Sequence, residues 1–365
     1  MNKVLNFLLL PLILLVSCEE RYQPDIEKVD EQLVVEAQIT NDPSRNFVHL
    51  SRTRSYNDNV PLTEVLGATV ELIENQSNKI RSTESSAGYY LFNSVPVSGK
   101  NYFLRIKIVN DTYESEEVTM PPIPTITNFH TEHVVKKVYV ANGEGVPIPF
   151  DRQGREIYVD MPVTNSLSHY RFDVRSVLEW IWDSIPTPFS ANPTAYGWNS
   201  YKQNEKFNIA GPANFSQTDK IEKHPLLMIS YDPLDYLYSD TLVSRGWILI
   251  IEQLGTSKGS YEYHEKLNNQ FAANGSLFDP IQNQVYGNIL CKSNPSKVVF
   301  GYFDLNSYHQ YRYYFNLSIP PGVITMRQIF RYPEIPHSNG IMRTQPIKGP
   351  PDEIPPPLPP PVWWE

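Results

Sequence analysis

Short segments in which apolar and polar residues alternate recur along the chain, separated by prolines and turn residues. Leu33–Ile39 and Tyr102–Ile108 are two examples, each about as long as one strand. The chain has 32 prolines, which interrupt helices, and 23 tyrosines, which favour strands. Alternation with a period of two gives each strand one apolar face. The sequence therefore predicts a mostly β protein.

The first group of such segments lies in residues 31–120. Its members are Gln32–Ile39, Phe47–Arg52, Ala68–Ile73, Gly88–Phe92 and Tyr102–Ile108. Short strands at this spacing are typical of antiparallel sandwiches. The string Gly67–Val70 leading to Gly88–Tyr90 is similar to sandwiches of the transthyretin-like or carboxypeptidase-regulatory type. We therefore predict an Ig-like or transthyretin-like antiparallel sandwich over residues 31–120, followed by the linker Pro121–Pro124.

A second, larger β-rich domain is predicted over residues 125–335, with one packed helix. Its clearest strands are Ile157–Met161, Tyr170–Trp182, Leu226–Ser230, Trp247–Leu254, Val298–Leu305 and Tyr311–Ser318. The helix is predicted at about residues 260–273, where Tyr263, Leu267 and Phe271 recur every four residues. Asn274-Gly275 would end it. A single helix in such a domain is expected to serve packing.

The start of the chain has the pattern of an export signal. Lys3 gives a positive start, and Val4–Val16 is an almost entirely apolar stretch of 13 residues. A membrane-spanning helix needs about 20 apolar residues, so this stretch fits a signal peptide instead. Leu15–Cys18 then resembles the lipobox of bacterial lipoproteins. We predict a signal peptide over residues 1–17 and lipid on Cys18; an ordinary signal peptide with an incidental cysteine is the alternative.

The residues that follow carry a second signal. Glu19 and Glu20 open an acidic tether over residues 18–30, and acids at this position resemble the surface-export signal of Bacteroidota lipoproteins. We expect a protein held in the outer membrane by its amino-terminal lipid and facing the cell exterior; a periplasm-facing protein is the alternative. Lipid on Cys18 leaves one thiol, that of Cys291, which we expect to be buried.

The last 30 residues, 336–365, form a proline-rich tail with ten prolines. Such a sequence favours an extended polyproline II arm over a helix or an inner strand. The tail ends with Trp363 and Trp364, whose rings are costly to leave in water. We expect these two residues to dock, either on this chain or on a partner.

Charge and missing motifs exclude several classes of function. Without residues 1–17 the chain has 30 basic and 40 acidic side chains, a net charge of −10, which argues against nucleic-acid binding. The sequence has no HExxH, no CxxC and no glycine-rich phosphate loop, and His130 and His133 would point to opposite faces of a strand. We therefore predict neither a metal nor a cofactor.

One motif raises the question of hydrolysis. Gly255–Gly259 matches G-x-S-x-G around Ser257, between a predicted strand and the predicted helix, as in a nucleophile elbow. Downstream partners would be Asp279 or Asp304 with His309 or His337. That mechanism belongs to alternating α/β scaffolds, and a strand-to-helix turn needs glycines for backbone reasons alone.

The best binding candidate is an aromatic stretch. Trp180 and Trp182 share one face of a predicted strand, and a proline-broken, irregular loop then bears Tyr196, Trp198 and Tyr201. Aromatic rings in loops can grip sugars, peptides or a protein surface. The alternative is that these rings belong to the core.

Several segments, in their order, resemble one family. They are Leu33–Asp42, Gly67–Val70, Gly88–Tyr90, Tyr261–Tyr263, Gly275–Pro280, Gly287–Ile289 and Gly301–Phe303. The chain resembles, over nearly its whole mature length, the Bacteroidota lipoproteins catalogued as domain of unknown function 4249. The resemblance implies an outer-membrane lipoprotein associated with TonB-dependent receptors, and it assigns no catalytic residue.

These observations lead to one functional hypothesis and two alternatives. We expect a non-enzymatic accessory or binding lipoprotein that works with a TonB-dependent transporter or another outer-membrane barrel. The first alternative is a structural component of an envelope assembly or secretion complex. The second is a surface hydrolase that uses Ser257.

Overall fold

The computed structural model describes ten stretches of the chain. They are residues 31–54, 61–143, 145–183, 194–202, 206–212, 219–230, 242–272, 284–316, 325–328 and 341–344. These residues form 22 strands in four sheets, with one α-helix. The prediction of a mostly β fold with a single helix is confirmed.

The first sandwich is made of sheets A and B. The strands of sheet A are β1 (Leu33–Ile39), β2 (Phe47–Arg52), β3 (Thr63–Glu64), β6 (Thr83–Ser86), β7 (Tyr89–Leu91) and β19 (Val299–Leu305). They lie in the order β19-β1-β2-β7-β6, with β3 beside β2. Alternate residues of β1 are buried, so the period-two pattern seen in the sequence is the packing pattern of this strand.

Sheet B covers the other side of the first core. Its strands are β4 (Thr69–Glu74), β5 (Asn78–Arg81), β8 (Asn101–Ile108), β9 (Asp111–Ser115), β10 (Val118–Thr119) and β18 (Ile289–Cys291). They lie in the order β18-β9-β8-β4-β5, with β10 beside β8. The inward residues of the two sheets, including Leu50, Leu72, Tyr90 and Leu104, form one hydrophobic cluster.

Residues 289–305, which the sequence analysis places in the second domain, complete the first sandwich. Strand β18 adds to one edge of sheet B, and β19 pairs in parallel with β1, from Leu33 opposite Val299 to Ile39 opposite Leu305. Cys291 is buried in the same core and is free, as expected. The described first sandwich is therefore built from two distant parts of the chain.

A glycine makes this parallel pairing possible. Gly301 has a φ of +90°, a conformation that suits glycine. A Cβ at this position would lie 1.9 Å from the carbonyl oxygen of Val35 on the neighbouring strand. The close approach of β19 to β1 therefore requires glycine here.

The second core lies between sheets C and D. Sheet C has β11 (Asn128–Ala141), β12 (Pro147–Pro162) and β16 (Lys220–Ser230). Sheet D has β13 (His169–Asp183), β14 (Thr194–Lys202), β15 (Asn208–Ala210), β17 (Leu242–Thr256), β20 (Ser307–Asn316), β21 (Thr325–Gln328) and β22 (Ile341–Thr344). Its order is β21-β20-β17-β13-β14-β22, with β15 beside β13. Tyr170, Phe172, Val174 and Ile251 pack inward against Val159 and Ile229.

Helix α1 spans Lys258–Ala272, close to its predicted bounds, but its buried face differs from the predicted one. Ser260, Tyr261 and His264 are buried, whereas Phe271 is 58% exposed. The helix packs through polar groups because charged residues of both sandwiches meet beneath it, as described below. No helix in the described part of the chain is long and apolar enough to cross a membrane.

Candidate functional site

Ser257 lies in the turn between β17 and α1 and serves as the amino-terminal cap of the helix. Its Oγ accepts a hydrogen bond from the backbone N–H of Ser260 at 3.1 Å, and its carbonyl accepts one from Tyr261 at 3.0 Å. The Ser257 side chain also hydrogen-bonds the hydroxyl of Tyr302. Ser257 therefore stabilises the first turn of the helix by accepting hydrogen bonds from its backbone N–H groups.

The two glycines of the G-x-S-x-G motif have packing roles. A Cβ at Gly255 would lie 2.5 Å from Oγ of Ser307 and 2.9 Å from Leu167. A Cβ at Gly259 would lie 2.9 Å from the hydroxyl of Tyr302. Close contacts with β19, β20 and the loop before β13 therefore explain the glycines without reference to catalysis.

The residues considered as partners of Ser257 have other contacts. Asp279 and His337 lie outside the described residues. His309 stands on β20 with its ring 4.5 Å from that of Tyr311, and burial lowers its pKa. Asp304 is buried on β19, where its contacts are with Ser260, His264 and Arg171. The described geometry thus gives Ser257 no acid–base relay.

Asp304 is the centre of a buried polar cluster that we call the junction cluster. Its members are Gln38 on β1, Asp304 on β19, Arg171 on β13, and Ser260 and His264 on α1. The Nη1 atom of Arg171 lies 2.8 Å from Oδ2 of Asp304, and its Nη2 atom donates to Gln38 at 3.1 Å. Ser260 Oγ donates to Oδ1 of Asp304. The cluster therefore ties the first sandwich to the second sandwich and to the helix.

The hydrogen bonds of His264 fix its tautomer. Its Nδ1 lies 2.8 Å from the carbonyl oxygen of Ser260, which can only accept, so Nδ1 carries the proton. Its Nε2 lies 2.6 Å from Nη1 of Arg171, which can only donate. Burial, and then the positive charge of Arg171, lower the pKa of His264 against the opposing charge of Asp304. His264 is therefore a neutral imidazole with both nitrogens in use.

Asp304 is ionised within this cluster. Burial alone would raise the pKa of Asp304, but the charge of Arg171 and the hydrogen bonds from Arg171 and Ser260 outweigh that effect and lower it. Asp304 is 7% exposed, so the charge of its carboxylate depends on these partners. Ser260 donates directly to the buried carboxylate of Asp304, and the acceptor nitrogen of His264 is occupied by Arg171. His264 is therefore not placed to act as a base for Ser260, and the arrangement is a structural one.

A second set of contacts joins the two sandwiches beside the junction cluster. Arg45, which follows β1, makes two hydrogen bonds to Glu252 on β17, at 3.0 Å and 2.5 Å. Its guanidinium also lies 4.1 Å from the ring centroid of Tyr308. Asn41 exchanges two hydrogen bonds with the backbone of Tyr308, at 3.0 Å and 2.5 Å. Paired polar contacts of this kind hold the sandwiches in one orientation.

The aromatic candidates lie on two paired strands. Trp180 and Trp182 are in β13, as predicted, but Tyr196, Trp198 and Tyr201 are in β14 and not in an irregular loop. That prediction was wrong because tyrosine and tryptophan favour strands, and the prolines precede β14. The register pairs Trp180 with Gly197, Trp182 with Ala195 and Trp198 with Glu179, so the aromatic candidates stand on two neighbouring strands.

The other predicted site residues lie outside the described part of the chain. They are Cys18, Glu19, Glu20, Trp363 and Trp364. His130 is in β11, where its Nε2 lies 2.6 Å from Asp160 on β12. Among the described residues, no group of three or more His, Cys, Asp or Glu side chains could hold a metal ion.

Sequence reasoning missed the junction cluster. The members of the junction cluster are separated by up to 266 positions, from Gln38 to Asp304, so no local pattern joins them.

Comparison with known proteins places the chain in a family. The family described as domain of unknown function 4249 matches residues 19–312. No curated protein and no solved structure gives a significant match. The matched region contains the first sandwich, the helix, the whole junction cluster and the second sandwich up to residue 312; the end of β20 and strands β21 and β22 lie beyond it. The chain therefore belongs to the family described as domain of unknown function 4249.

Proposed function

We propose that this chain is a non-enzymatic lipoprotein of the outer membrane that acts by binding a membrane partner. In this proposal lipid on Cys18 anchors the chain, the acidic tether that begins with Glu19 and Glu20 directs it to the cell exterior, and the partner is a TonB-dependent transporter. The family membership supports this reading, because the lipobox-like sequence Leu15–Cys18 ends directly before the matched region, which begins at residue 19.

The observation that carries the proposal is the junction cluster. Ser260, His264 and Asp304 are the residue types of a hydrolytic triad, yet all three are buried and engaged in holding the sandwiches together. Ser257 is engaged as a helix cap. Because these residues have structural roles, they support the proposal that the two sandwiches form a rigid body that binds a partner through its surface.

The aromatic strands support binding as the activity. The hairpin β13–β14 carries five aromatic candidates within two paired strands: Trp180, Trp182, Tyr196, Trp198 and Tyr201. Tryptophan and tyrosine are enriched at the energetic centres of protein interfaces. In the proposal this hairpin contacts the transporter or its ligand, and the tail with Trp363 and Trp364 adds a second contact.

Co-purification from native membranes tests the proposal. The chain is extracted in mild detergent, its partner is identified by mass spectrometry, and the mass of the amino-terminal peptide shows whether Cys18 is acylated. We expect acylated protein in complex with a TonB-dependent barrel. A chain without lipid, or one that is a monomer under all conditions, would contradict the proposal.

Two variants separate binding at the aromatic strands from general effects. Trp198→Ala should release the partner. Tyr286→Ala should retain it, because Tyr286 is exposed and lies outside β13 and β14. Deletion of residues 336–365 distinguishes capture from scaffolding. Loss of the complex with intact ligand uptake would favour a structural component of an envelope assembly.

A further inference from the structure

Asn306 stands where the chain passes from the first sandwich to the second. Strand β19 ends at Leu305 and β20 begins at Ser307, so Asn306 is the single residue between them. Its backbone N–H donates to the carbonyl oxygen of Ile39 at 3.0 Å, and the residue as a whole is 0% exposed. The side-chain amide is therefore closed to bulk solvent at the crossing point of the two sandwiches.

The amide of Asn306 has no hydrogen-bond partner in the part of the chain that the structure describes. This holds for Nδ2, which can donate two hydrogen bonds, and for Oδ1, which can accept two. Buried side-chain amides nearly always have partners, because a buried polar group without one costs free energy. A partner that is not part of the polypeptide would remove this cost.

Two other buried asparagines show how the protein itself satisfies such groups. Asn46 accepts from the N–H of Thr40 at 2.6 Å and donates to the carbonyl of the same residue at 3.0 Å. Asn288 makes the same pair of bonds with the backbone of Phe303, at 2.9 Å and 3.1 Å. Both asparagines are at most 5% exposed. Asn306 is as deeply buried and has neither bond, so it differs from them in its surroundings.

The residues two positions before and after Asn306 both join the sandwiches. Asp304 pairs with Arg171 on β13 at 2.8 Å, and the ring of Tyr308 lies 4.1 Å from the guanidinium of Arg45. In an extended chain, side chains two residues apart lie on the same side. The side chain of Asn306 is therefore directed at the contact between the sandwiches, in line with Asp304 and Tyr308.

A hydroxyl group lies opposite Asn306 on the neighbouring strand. Ser307 is the last residue of β20 that pairs with β17, opposite Gly255, so Thr256 is opposite Asn306 one position further on. The hydroxyl of Thr256 donates to the carbonyl of Ser257 at 3.0 Å, and its oxygen can also accept. Directly opposite residues of antiparallel strands have Cβ atoms about 4.5–5.5 Å apart. One small molecule can therefore contact both side chains.

We propose that the protein binds an ordered water molecule between the amide of Asn306 and the hydroxyl of Thr256, as a fixed part of the contact between the sandwiches. Water both donates and accepts, as this pair of side chains requires. The amide oxygen, the amide nitrogen and the hydroxyl oxygen provide about three partners, the usual number for a buried water. The amide carries no charge to attract an ion, and its complete burial excludes larger ligands. A bridging water is nearly as favourable as a direct hydrogen bond.

A high-resolution crystal structure of the whole purified chain tests the proposal. We expect a density peak about 2.7–3.2 Å from an amide atom of Asn306 and from the hydroxyl of Thr256. Asn46 and Asn288 are internal controls, because protein groups bond to their amides and no water should replace those bonds. An amide of Asn306 that is bonded directly to the protein, or that has no density beside it, would reject the water site. Density larger than one or two waters would also reject it, in favour of another ligand.

Oxygen-17 relaxation of the solvent tests the same site in solution, because it counts water molecules that stay bound for long times. Asn306→Leu should remove at least one such water, whereas Asn78→Leu, at an exposed asparagine of β5, should leave the count unchanged. Thr256→Val keeps the shape of the side chain and removes the hydroxyl, so it should also lower the count. Equal counts in the wild type and both junction variants would contradict the proposal.

These measurements are independent of the proposed function. Water at Asn306 is expected whether or not Cys18 carries lipid and whether or not a membrane partner is bound. A chain without lipid or partner but with the water would reject the proposed function alone, and an acylated chain in its complex without the water would reject this inference alone.

Discussion

The guanidinium of Arg171, on β13 of the second sandwich, lies 2.8 Å from the carboxylate of Asp304, on β19 of the first. Both side chains are largely buried. Because an unpaired charge is costly away from water, each of these residues depends on the other. The pair therefore couples the stability of the chain to the relative position of the two sandwiches.

Loss of Arg171 should destabilise the protein strongly. Arg171→Met leaves the Asp304 carboxylate buried without its cation, and we expect a loss of about 3–5 kcal/mol in the free energy of unfolding. Urea unfolding followed by tryptophan fluorescence measures it. The matched control is Arg105→Met, which breaks a more exposed pair with Glu114 and should cost at most about 1 kcal/mol. Equal losses in the two variants would contradict the role assigned to the junction cluster.

Replacement of Gly301 should disrupt the pairing of β19 with β1. Gly301→Ala combines a positive φ with a Cβ that would lie 1.9 Å from the carbonyl of Val35. Gly99→Ala is the matched control, because Gly99 has a φ of +83° but nothing within 4 Å of the added Cβ. We expect the control to lose about 1 kcal/mol from backbone strain and Gly301→Ala to lose several times as much. Thermal unfolding of the two variants tests this difference.

The sequence predicts strands where the packing pattern is local. Alternation over Leu33–Ile39 and Tyr102–Ile108 indicates the buried faces of β1 and β8, because successive side chains of a strand point to opposite faces. The parallel pairing of β1 with β19 is not visible in this way. It joins residues 266 positions apart, and its register depends on the close approach at Gly301.

The helix and the candidate site show a second limit. Tyr263, Leu267 and Phe271 form an apolar stripe in the sequence, yet α1 buries Ser260 and His264 because Arg171 and Asp304 meet beneath it. A polar residue with a buried partner is indistinguishable in sequence from a polar residue in water. The G-x-S-x-G match likewise gives the correct strand-to-helix turn, while the contacts of Ser257 decide its role.

Substitution of Ser257 separates a helix cap from a nucleophile. Ser257→Ala removes the acceptor of the Ser260 N–H and should cost about 1 kcal/mol. Ser257→Asp keeps an acceptor and should recover most of that stability, although a carboxylate cannot replace a serine nucleophile. Thermal unfolding measures both. A fluorophosphonate probe should not label the wild-type protein at Ser257, and labelling there would support the hydrolase.

Acid should weaken the protein through His224, which lies on β16. Burial lowers the pKa of this histidine from 6.5 to about 4, with Nε2 2.5 Å from Oδ1 of Asn208 and the ring stacked 5.5 Å from that of Phe172. The unfolded chain therefore binds the proton first as pH falls. Stability is complete above about pH 6.5 and is lost toward pH 4, by about 3 kcal/mol in total.

A variant isolates this contribution. His224→Gln does not titrate and retains an amide that can bond Asn208, so the dependence of the unfolding free energy on pH between about 4 and 6.5 should become shallower by up to about 1.4 kcal/mol per pH unit. A remaining slope is expected, because burial also lowers the pKa values of His169, His264 and His309. Urea unfolding at a series of pH values gives both slopes. Identical slopes in the wild type and His224→Gln would show that His224 is already protonated in the folded protein, against the burial seen between β13 and β16.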